Sequence, residues 1–119
     1  MIDFIKNTFR KSKFEISTNV ANQYYWKLKA PNGQIILMSE FYETTQGCQN
    51  GIESVRVNSL IEANFDIRLS KDKKRYFVLK AGNGEIIGTS ETYNSLSGVI
   101  NGIESVSKYS QTYVVVFEK

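Results

Sequence analysis

The side chains of this sequence that could perform chemistry are two repeated pairs of carboxylates and one thiol. Glu40 matches Glu91, Glu53 matches Glu104, and Cys48 is the single cysteine among 119 residues. Paired carboxylates can act as general acid and base or bind a cation, and a thiolate can act as a nucleophile. The chain contains no histidine, which removes the commonest general base and every Ser-His or Cys-His dyad.

The positions of these groups favour structural roles. Val99 stands where the thiol of Cys48 would recur, and a free cysteine packs well in a core. The first carboxylate pair lies between a strand and a helix, where a negative charge faces the positive helix end. The second pair lies on a helix surface. We therefore predict no catalytic residue, no metal site and no cofactor.

Composition narrows the class of protein. With 41% hydrophobic and 23% charged residues the chain is an ordinary globular one, and no apolar run reaches the ~20 residues of a membrane span. Residues 1–11 lack the unbroken apolar stretch of a secretory signal, and one cysteine cannot form an internal disulfide. We therefore expect a cytoplasmic protein with no membrane partner, made of one fused domain over residues 1–119.

An internal repeat organises the chain. A shift of 51 positions aligns residues 14–59 (copy one) with residues 65–110 (copy two) without a gap and with 21 identities in 46 pairs. The longest match is Asn-Gly-Ile-Glu-Ser-Val, at residues 50–55 and 101–106. Repeats of this kind indicate that the copies share one local structure.

Each copy is predicted to hold three strands and a helix. Period-two alternation indicates strands, Asn-Gly at 32–33 and 83–84 indicates hairpin turns, and apolar spacing at i, i+4, i+7 indicates helices over 44–57 and 95–108. Thr44 and Ser95 are the expected helix N-caps. A last strand is expected near 112–118, with its apolar run at residues 113–117. The strands expected in the two copies cover residues 14–18, 24–30, 34–39, 65–69, 76–81 and 85–90.

These elements predict an α+β fold in which two tandem β-β-β-α units share one antiparallel sheet and one core about a pseudo-twofold axis. The linker at residues 62–64 contains neither Pro nor Gly, which favours fusion of the copies. The third strand is apolar on both faces and cannot be oriented. Ile2, Phe4, Ile5 and Phe9 fit a short amphipathic helix that packs on the domain edge or contacts a partner.

The repeated motif resembles the YegP-like family. It is carried by Leu-Lys-Ala-x-Asn-Gly-x-Ile-Ile-x-x-Ser-Glu-x-Tyr followed by Asn-Gly-Ile-Glu-Ser-Val, in both copies. The resemblance implies a β(3)-α-β unit, with two units combined in a single sheet and their last strands exchanged. It implies no established activity.

The helix motif contains six repeated residues that we expect to be structural. Glycine inside a helix costs about 1 kcal/mol relative to alanine, so its presence in both copies favours close backbone packing over space for a ligand. The motif residues are Asn50, Gly51, Glu53, Asn101, Gly102 and Glu104.

The expected contact surface combines aromatic and basic side chains on the strand face away from the core: Tyr25, Lys27, Lys29, Arg68, Tyr76 and Lys80. Such a face on an open sheet can bind single strands by stacking and phosphate contacts, or it can be ordinary solvated surface. A charge of +3 is mild for a nucleic-acid binder. We therefore predict a non-catalytic module that binds an unknown protein, as a monomer or weak homodimer. Weak binding of single-stranded nucleic acid is the alternative, and small-ligand binding or an enzyme are the least favoured classes.

Overall fold

The computed structural model describes residues 12–118, and each copy begins with three antiparallel strands. The six strands occupy their predicted positions to within two residues at each end. Their bounds are β1 Lys13–Thr18, β2 Tyr24–Lys29, β3 Ile35–Ser39, β4 Phe65–Leu69, β5 Arg75–Lys80 and β6 Ile86–Thr89. Glycine permits the positive φ of the turns before β3 and β6, at Gly33 (+87°) and Gly84 (+88°).

One helix follows each set of strands, α1 at Thr45–Asn58 and α2 at Leu96–Tyr109. The predicted N-caps are confirmed: Thr44 Oγ1 accepts the N–H of Gly47 at 3.0 Å, and Ser95 Oγ accepts the equivalent bond in copy two. Each cap satisfies an amide that the first helical turn leaves unpaired. In the described part of the chain, neither helix is long and apolar enough to cross a membrane.

The seven strands form one sheet in the order β4-β5-β6-β3-β2-β1-β7, where β7 is Val115–Phe117. The expectation of an antiparallel sheet needs one correction, because β7 pairs parallel to β1 while the other pairings are antiparallel. The chain reaches this edge through α2 and not through a hairpin, and a connection of that kind allows parallel pairing. The sheet is therefore mixed at one edge.

The expected exchange of the last strand is present, and it runs in one direction. β7 follows the helix of copy two but pairs with β1 of copy one. After α1 the chain passes through a single 3₁₀ turn, Glu62–Asn64, and directly enters β4. Copy one thus has no fourth strand to place beside β4.

A pseudo-twofold axis relates the copies, because equivalent residues meet each other across it. Met38 of β3 pairs with its own equivalent, Thr89 of β6. The buried hydroxyls of Ser59 and Ser110, also equivalents, lie 2.8 Å apart. The axis therefore passes between the two central strands and between the two helix ends.

The core contains side chains from both copies. α1 packs on β5 and β6 of copy two as well as on β2, and α2 packs on β2 and β3 of copy one as well as on β5. Trp26 and Phe77 are fully buried in the same cluster as Val55 and Val106 of the helices. Each helix therefore depends on the strands of the other copy for the burial of its apolar face.

The structure also orients the third strand of copy one. Leu37 pairs with Leu28 and is fully buried on the helix side, so Met38 faces the opposite side, where it is 40% exposed. The predicted N-terminal helix at residues 2–9 lies outside the described residues.

Candidate functional site

The predicted contact residues lie on the sheet face opposite the helices, which we call the open face. Trp26 and Leu28 point into the core, so Tyr25, Lys27 and Lys29 alternate to the other side. In copy two, Phe77 and Leu79 point inward, and strand alternation places the remaining predicted residues on the open face, namely Arg68, Tyr76 and Lys80. All six are partly buried.

Lys13 and two lysines of copy one, Lys27 and Lys29, are ion-paired with carboxylates on the same face. Lys29 Nζ lies 3.0 Å from Glu15 Oε1, Lys13 lies 3.4 Å from Glu15 Oε2, and Lys27 lies 3.3 Å from Glu118. Glu15 is only 7% exposed, so the cations around it offset the cost of burying its charge. Hydrogen bonds from Ser17 and Lys27 lower the pKa of Glu118 below its usual value.

Copy two repeats this arrangement with fewer residues. Arg68 Nε donates to Asp66 at 3.0 Å, and Lys80 lies 3.4 Å from the same carboxylate oxygen. The hydrogen bond from Arg68 is the main cause that lowers the pKa of Asp66. Asp66 is the repeat equivalent of Glu15, so each copy places one carboxylate among its cations.

These carboxylates are open-face residues that the sequence reasoning missed. The signal was the alternation of β1 and β4, which sets Glu15 and Asp66 on the same side as the lysines. Strand pairing then places Glu15 opposite Lys27. The predicted basic surface is therefore a set of ion pairs in which five basic side chains share three carboxylates.

The centre of the open face holds an apolar depression of about 520 Å³ along the seam between β3 and β6. Met38 and Phe41 are its exposed apolar side chains, at 40% and 57% exposure. Tyr25 packs edge-on against Phe41, with ring centroids 5.6 Å apart, and Lys27 Nζ lies 5.7 Å from the Tyr25 ring centroid. The sequence reasoning did not select Met38 or Phe41 because the third strand could not be oriented.

The polar groups that line this depression have structural partners. Ser39 Oγ accepts the backbone N–H of Trp26 and donates to the carbonyl of Glu40. Ser90 makes the same two bonds in copy two. The predicted carboxylates Glu40 and Glu91 lie exposed on the lining of the depression. The serines therefore fix the ends of the central strands.

The two glycines of the helix motif leave room for two tyrosine rings. A Cβ added to Gly51 would lie 2.7 Å from Cζ of Tyr42, and one added to Gly102 would lie 2.8 Å from Cζ of Tyr93. Each tyrosine lies under its helix, and only glycine leaves room for the ring. The predicted packing role of these glycines therefore has a specific contact in each copy.

The remaining motif residues lie on the exposed helix surface. Asn50 accepts a hydrogen bond from Gln46, and Glu53 forms an ion pair with Arg56 one turn later. Asn101 and Glu104 are exposed. None of the four is directed at the open face.

The thiol of Cys48 is fully buried on the inner side of α1. Burial raises its pKa to about 11, so the thiolate that a nucleophile requires is scarce at neutral pH. Within residues 12–118, no cluster of three or more potential metal ligands occurs.

Comparison with known proteins adds a family to this geometry. The family model for the domain of unknown function DUF1508 matches residues 19–66 and again residues 70–116. A UPF0339 protein of Shewanella oneidensis is 45% identical over 102 residues, covering 86% of this chain and 93% of the relative. The UPF0339 protein YegP of Yersinia pestis is 42% identical over 102 residues, covering 86% and 91%.

Two solution NMR structures have the same architecture. That of a UPF0339 protein from Shewanella oneidensis matches with a TM-score of 0.84 at 43% identity, covering 90% of this chain and 91% of the other. That of yegP from E. coli, described as a protein of unknown function, matches with a TM-score of 0.86 at 37% identity, covering 91% and 93%. These relatives carry no assigned activity.

Proposed function

This chain belongs to the DUF1508 family, and from that premise we propose that it is a non-catalytic module that binds a protein partner through the open face. The observation that carries the proposal is the apolar depression at the centre of that face. Exposed Met38 and Phe41 lie there beside Tyr25. Contiguous apolar and aromatic surface with a polar border is typical of protein interfaces.

The border of the face is polar, and its charges are paired. Five basic side chains share three carboxylates there: Lys13, Lys27, Lys29, Arg68 and Lys80 face Glu15, Asp66 and Glu118. Paired charges at an interface border favour orientation and specificity more than raw affinity. Side chains held by such pairs also lose little freedom on binding.

Nucleic-acid binding is the weaker alternative for the same face. Affinity for phosphates comes from cations that displace condensed counterions, and the cations of this face already contact carboxylates. The stacking surface of Tyr25 and Tyr76 is the feature that favours it. The two functions differ in their salt dependence, which makes them separable.

A catalytic role has little to support it in the described residues. The serines of the depression are bonded to the backbone, and Cys48 is buried with a raised pKa. The cytoplasmic setting and a monomeric or weakly dimeric state remain predictions.

The test uses the tagged full chain to recover partners from native lysate, with and without nuclease. The variant M38T/F41T gives the centre of the face the residues of copy two, Thr89 and Thr92. We expect it to lower affinity for the recovered protein by about tenfold or more, as loss of a central apolar contact does. The matched control is V57S, which changes a 63% exposed apolar residue on α1.

The outcomes separate the alternatives. Retained binding by M38T/F41T, with an unchanged thermal midpoint, contradicts the proposal. Binding that nuclease abolishes, and that K27Q and K80Q weaken together with its salt dependence, assigns the face to nucleic acid instead.

A further inference from the structure

The two outer edges of the sheet are built from equivalent strands, and one of them is closed. β7 covers β1: Phe14 donates its N–H to the carbonyl of Val114 at 3.0 Å, and Glu118 donates to the carbonyl of Ile16 at 2.8 Å. Beneath this cover the side chains of Phe14 and Ile16 are 0% and 1% exposed.

The opposite edge, β4, has no such cover. Across residues 12–118, no strand pairs with the outer side of β4. Ile67, the equivalent of Ile16, is 43% exposed, and Leu69 is 62% exposed. Ile67 faces Phe77 in the register in which Ile16 faces Trp26, so its peptide groups point outward as those of Ile16 do. An unpaired edge with apolar side chains is a template for another strand.

A groove runs beside this edge, between β4 and α2. It has a volume of about 540 Å³, and we call it the β4 edge groove; its lining residues are Glu62, Phe65, Ile67, Ile100, Ile103 and Glu104. Three of them are the repeat equivalents of Gln49, Ile52 and Glu53, which lie beside Val115 of β7 in copy one. The β4 edge groove is therefore the position that β7 would take in copy two.

The wall of this groove is more apolar than its counterpart beside β7 in copy one. Ile100 stands where copy one has Gln49, and it is 47% exposed. Copy two thus presents a larger apolar wall at the position where its own fourth strand is missing. Covering that wall removes apolar area from water.

The charges of the edge define a further feature of the missing strand. In copy one, Glu118 directly follows β7 and accepts a hydrogen bond from Ser17 at 2.7 Å. The equivalent of Ser17 is Arg68. Arg68 lies on the open face of β4 and is partly exposed. A carboxylate in the position of Glu118 would therefore meet a guanidinium, a stronger partner than a hydroxyl.

We propose that the β4 edge groove binds an extended segment of a partner protein as an eighth strand, parallel to β4. The segment has apolar residues at its first and third positions, which enter the groove, and a carboxylate at its fourth, which meets Arg68. The residues of this chain with that pattern are Val115, Phe117 and Glu118. Strand addition of this kind obtains affinity from main-chain hydrogen bonds and specificity from alternate side chains.

The occupant is a different protein and not a second copy of this chain. Within residues 12–118, a second copy could offer its own β7, whose departure would expose the β1 edge that β7 covers. It could also offer its own β4, but a twofold axis would set that strand antiparallel to the first and not parallel as β7 is to β1. An exchange of β7 that is not reciprocal is head-to-tail and leads to open chains instead of a closed dimer. The segment before β7 is also held in place by Arg56, which donates to the carbonyl of Thr112 at 2.8 Å.

The test titrates a synthetic peptide with the sequence of residues 111–119 into the isotope-labelled full chain. We expect chemical-shift changes at residues 65–69 and 100–104, with cross-peaks that show a strand parallel to β4. The control peptide carries serine in place of Val115 and Phe117, and it should give no saturable shifts.

Variants of the chain sharpen the test. I100Q gives the groove wall the residue of copy one and should weaken the peptide by about tenfold, because apolar contact is lost at the centre of the groove. R68E should weaken it as well, through repulsion of the peptide carboxylate. Q49I, the matched control at the closed edge, and M38T/F41T on the open face should bind like the original chain. Thermal midpoints verify that each variant is folded.

Four results would overturn the proposal. They are the absence of saturable binding, shifts confined to β1 and α1 that indicate exchange with β7, concentration-dependent self-association of the free chain that I100Q abolishes, and cross-peaks between residues 1–11 and β4 in the free chain. Because the apolar depression of the open face shares no lining residue with the β4 edge groove, either proposal can fail without the other.

Discussion

The two copies differ where their sequences diverge, and the difference lies at the edges of the sheet. They share 21 of 46 aligned residues, the same element order and the same helix–tyrosine contact. Copy one ends in an edge that β7 covers, while copy two ends in β4. The shared motif therefore specifies the interior of each unit, and residues outside it decide which edge is closed.

Arg56 is the clearest of these deciding residues. Its guanidinium bonds the carbonyl of Thr112 and lies 5.5 Å from the centroid of the Phe14 ring and 5.7 Å from that of Tyr113. These contacts fix the chain just before β7. Copy two carries Ser107 at this position, which is too short to hold a crossing segment in the same way.

The centre of the sheet shows a second kind of divergence, which symmetry itself requires. Leu37 fills the space beside the axis, and a Cβ added to its equivalent, Gly88, would lie 2.8 Å from Leu37 Cγ. Two leucines could not occupy this space together. A repeat that pairs with itself must therefore become asymmetric at its axis.

The largest expected loss of stability comes from separating the two copies. Residues 1–61 expressed alone should not form a folded monomer, because α1 then loses the β5 and β6 surface on which it packs. Circular dichroism with sedimentation would show either an unfolded chain or a dimer in which a second copy replaces the missing one. A cooperative monomeric transition of this fragment would contradict the shared core.

Replacing the helix glycines by alanine should give the next largest loss of unfolding free energy, and the loss should be equal in the two copies. Propensity alone predicts that G51A and G102A stabilise the helix by about 1 kcal/mol. The added methyl meets the ring of Tyr42 or Tyr93, so we expect a net loss of roughly 1–3 kcal/mol. Denaturant unfolding measures this loss.

Two further variants control that measurement. G82A, where nothing lies within 4 Å of an added Cβ, should leave the denaturation midpoint almost unchanged. Removal of the Tyr42 hydroxyl in the double variant G51A/Y42F should recover part of the loss. A raised midpoint for G51A alone would show that the tyrosine moves aside at little cost.

The contacts of Arg56 with the segment before β7 should contribute less to the free energy of unfolding, and only copy one has them. R56S installs the residue of copy two and removes a charged hydrogen bond, which contributes about 1.5 kcal/mol. The reciprocal change, S107R, has no crossing segment to hold and should not stabilise the chain. If S107R raised the free energy of unfolding by as much as R56S lowered it, the arginine would act only through its own helix and not through the segment before β7.

The smallest expected effect is the pH dependence of β7. The folded-state pKa of Glu118 lies below its ordinary value of 4.5, so its stabilising contribution is present above that value and disappears as the pH falls through the lowered pKa. Amide protection of Val116 should therefore decrease on acidification. E118Q should show the reduced protection already at neutral pH, with no further carboxylate-dependent change.

Much of the fold could be predicted from the sequence, because the repeat supplied two independent observations of each pattern. Caps at Thr44 and Ser95, the hairpin turns and the exchanged last strand follow from local chemistry or from the family resemblance. The parallel pairing of β7 could not be derived, since pairing direction depends on where α2 returns the chain. The orientation of β3 depended on its neighbours and not on its own apolar pattern.

The candidate site was predictable only in part. Alternation placed the predicted tyrosines and cations on the open face, but the ion pairs there depend on Glu15 and Asp66, which reach Lys29 and Lys80 only through strand pairing. Glu118 reaches the same face from the far end of the sequence. Met38 and the β4 edge groove depend on tertiary packing, which no local pattern contains.

The most direct test of the difference between the copies is native-state hydrogen exchange at two equivalent amides, those of Ile16 and Ile67. Both occupy the same register on equivalent strands, and only the first lies beneath β7. We expect strong protection of the Ile16 amide and exchange of the Ile67 amide at close to the rate of a solvent-exposed group. Equal strong protection at both positions would mean that the β4 edge is closed, and it would contradict the account.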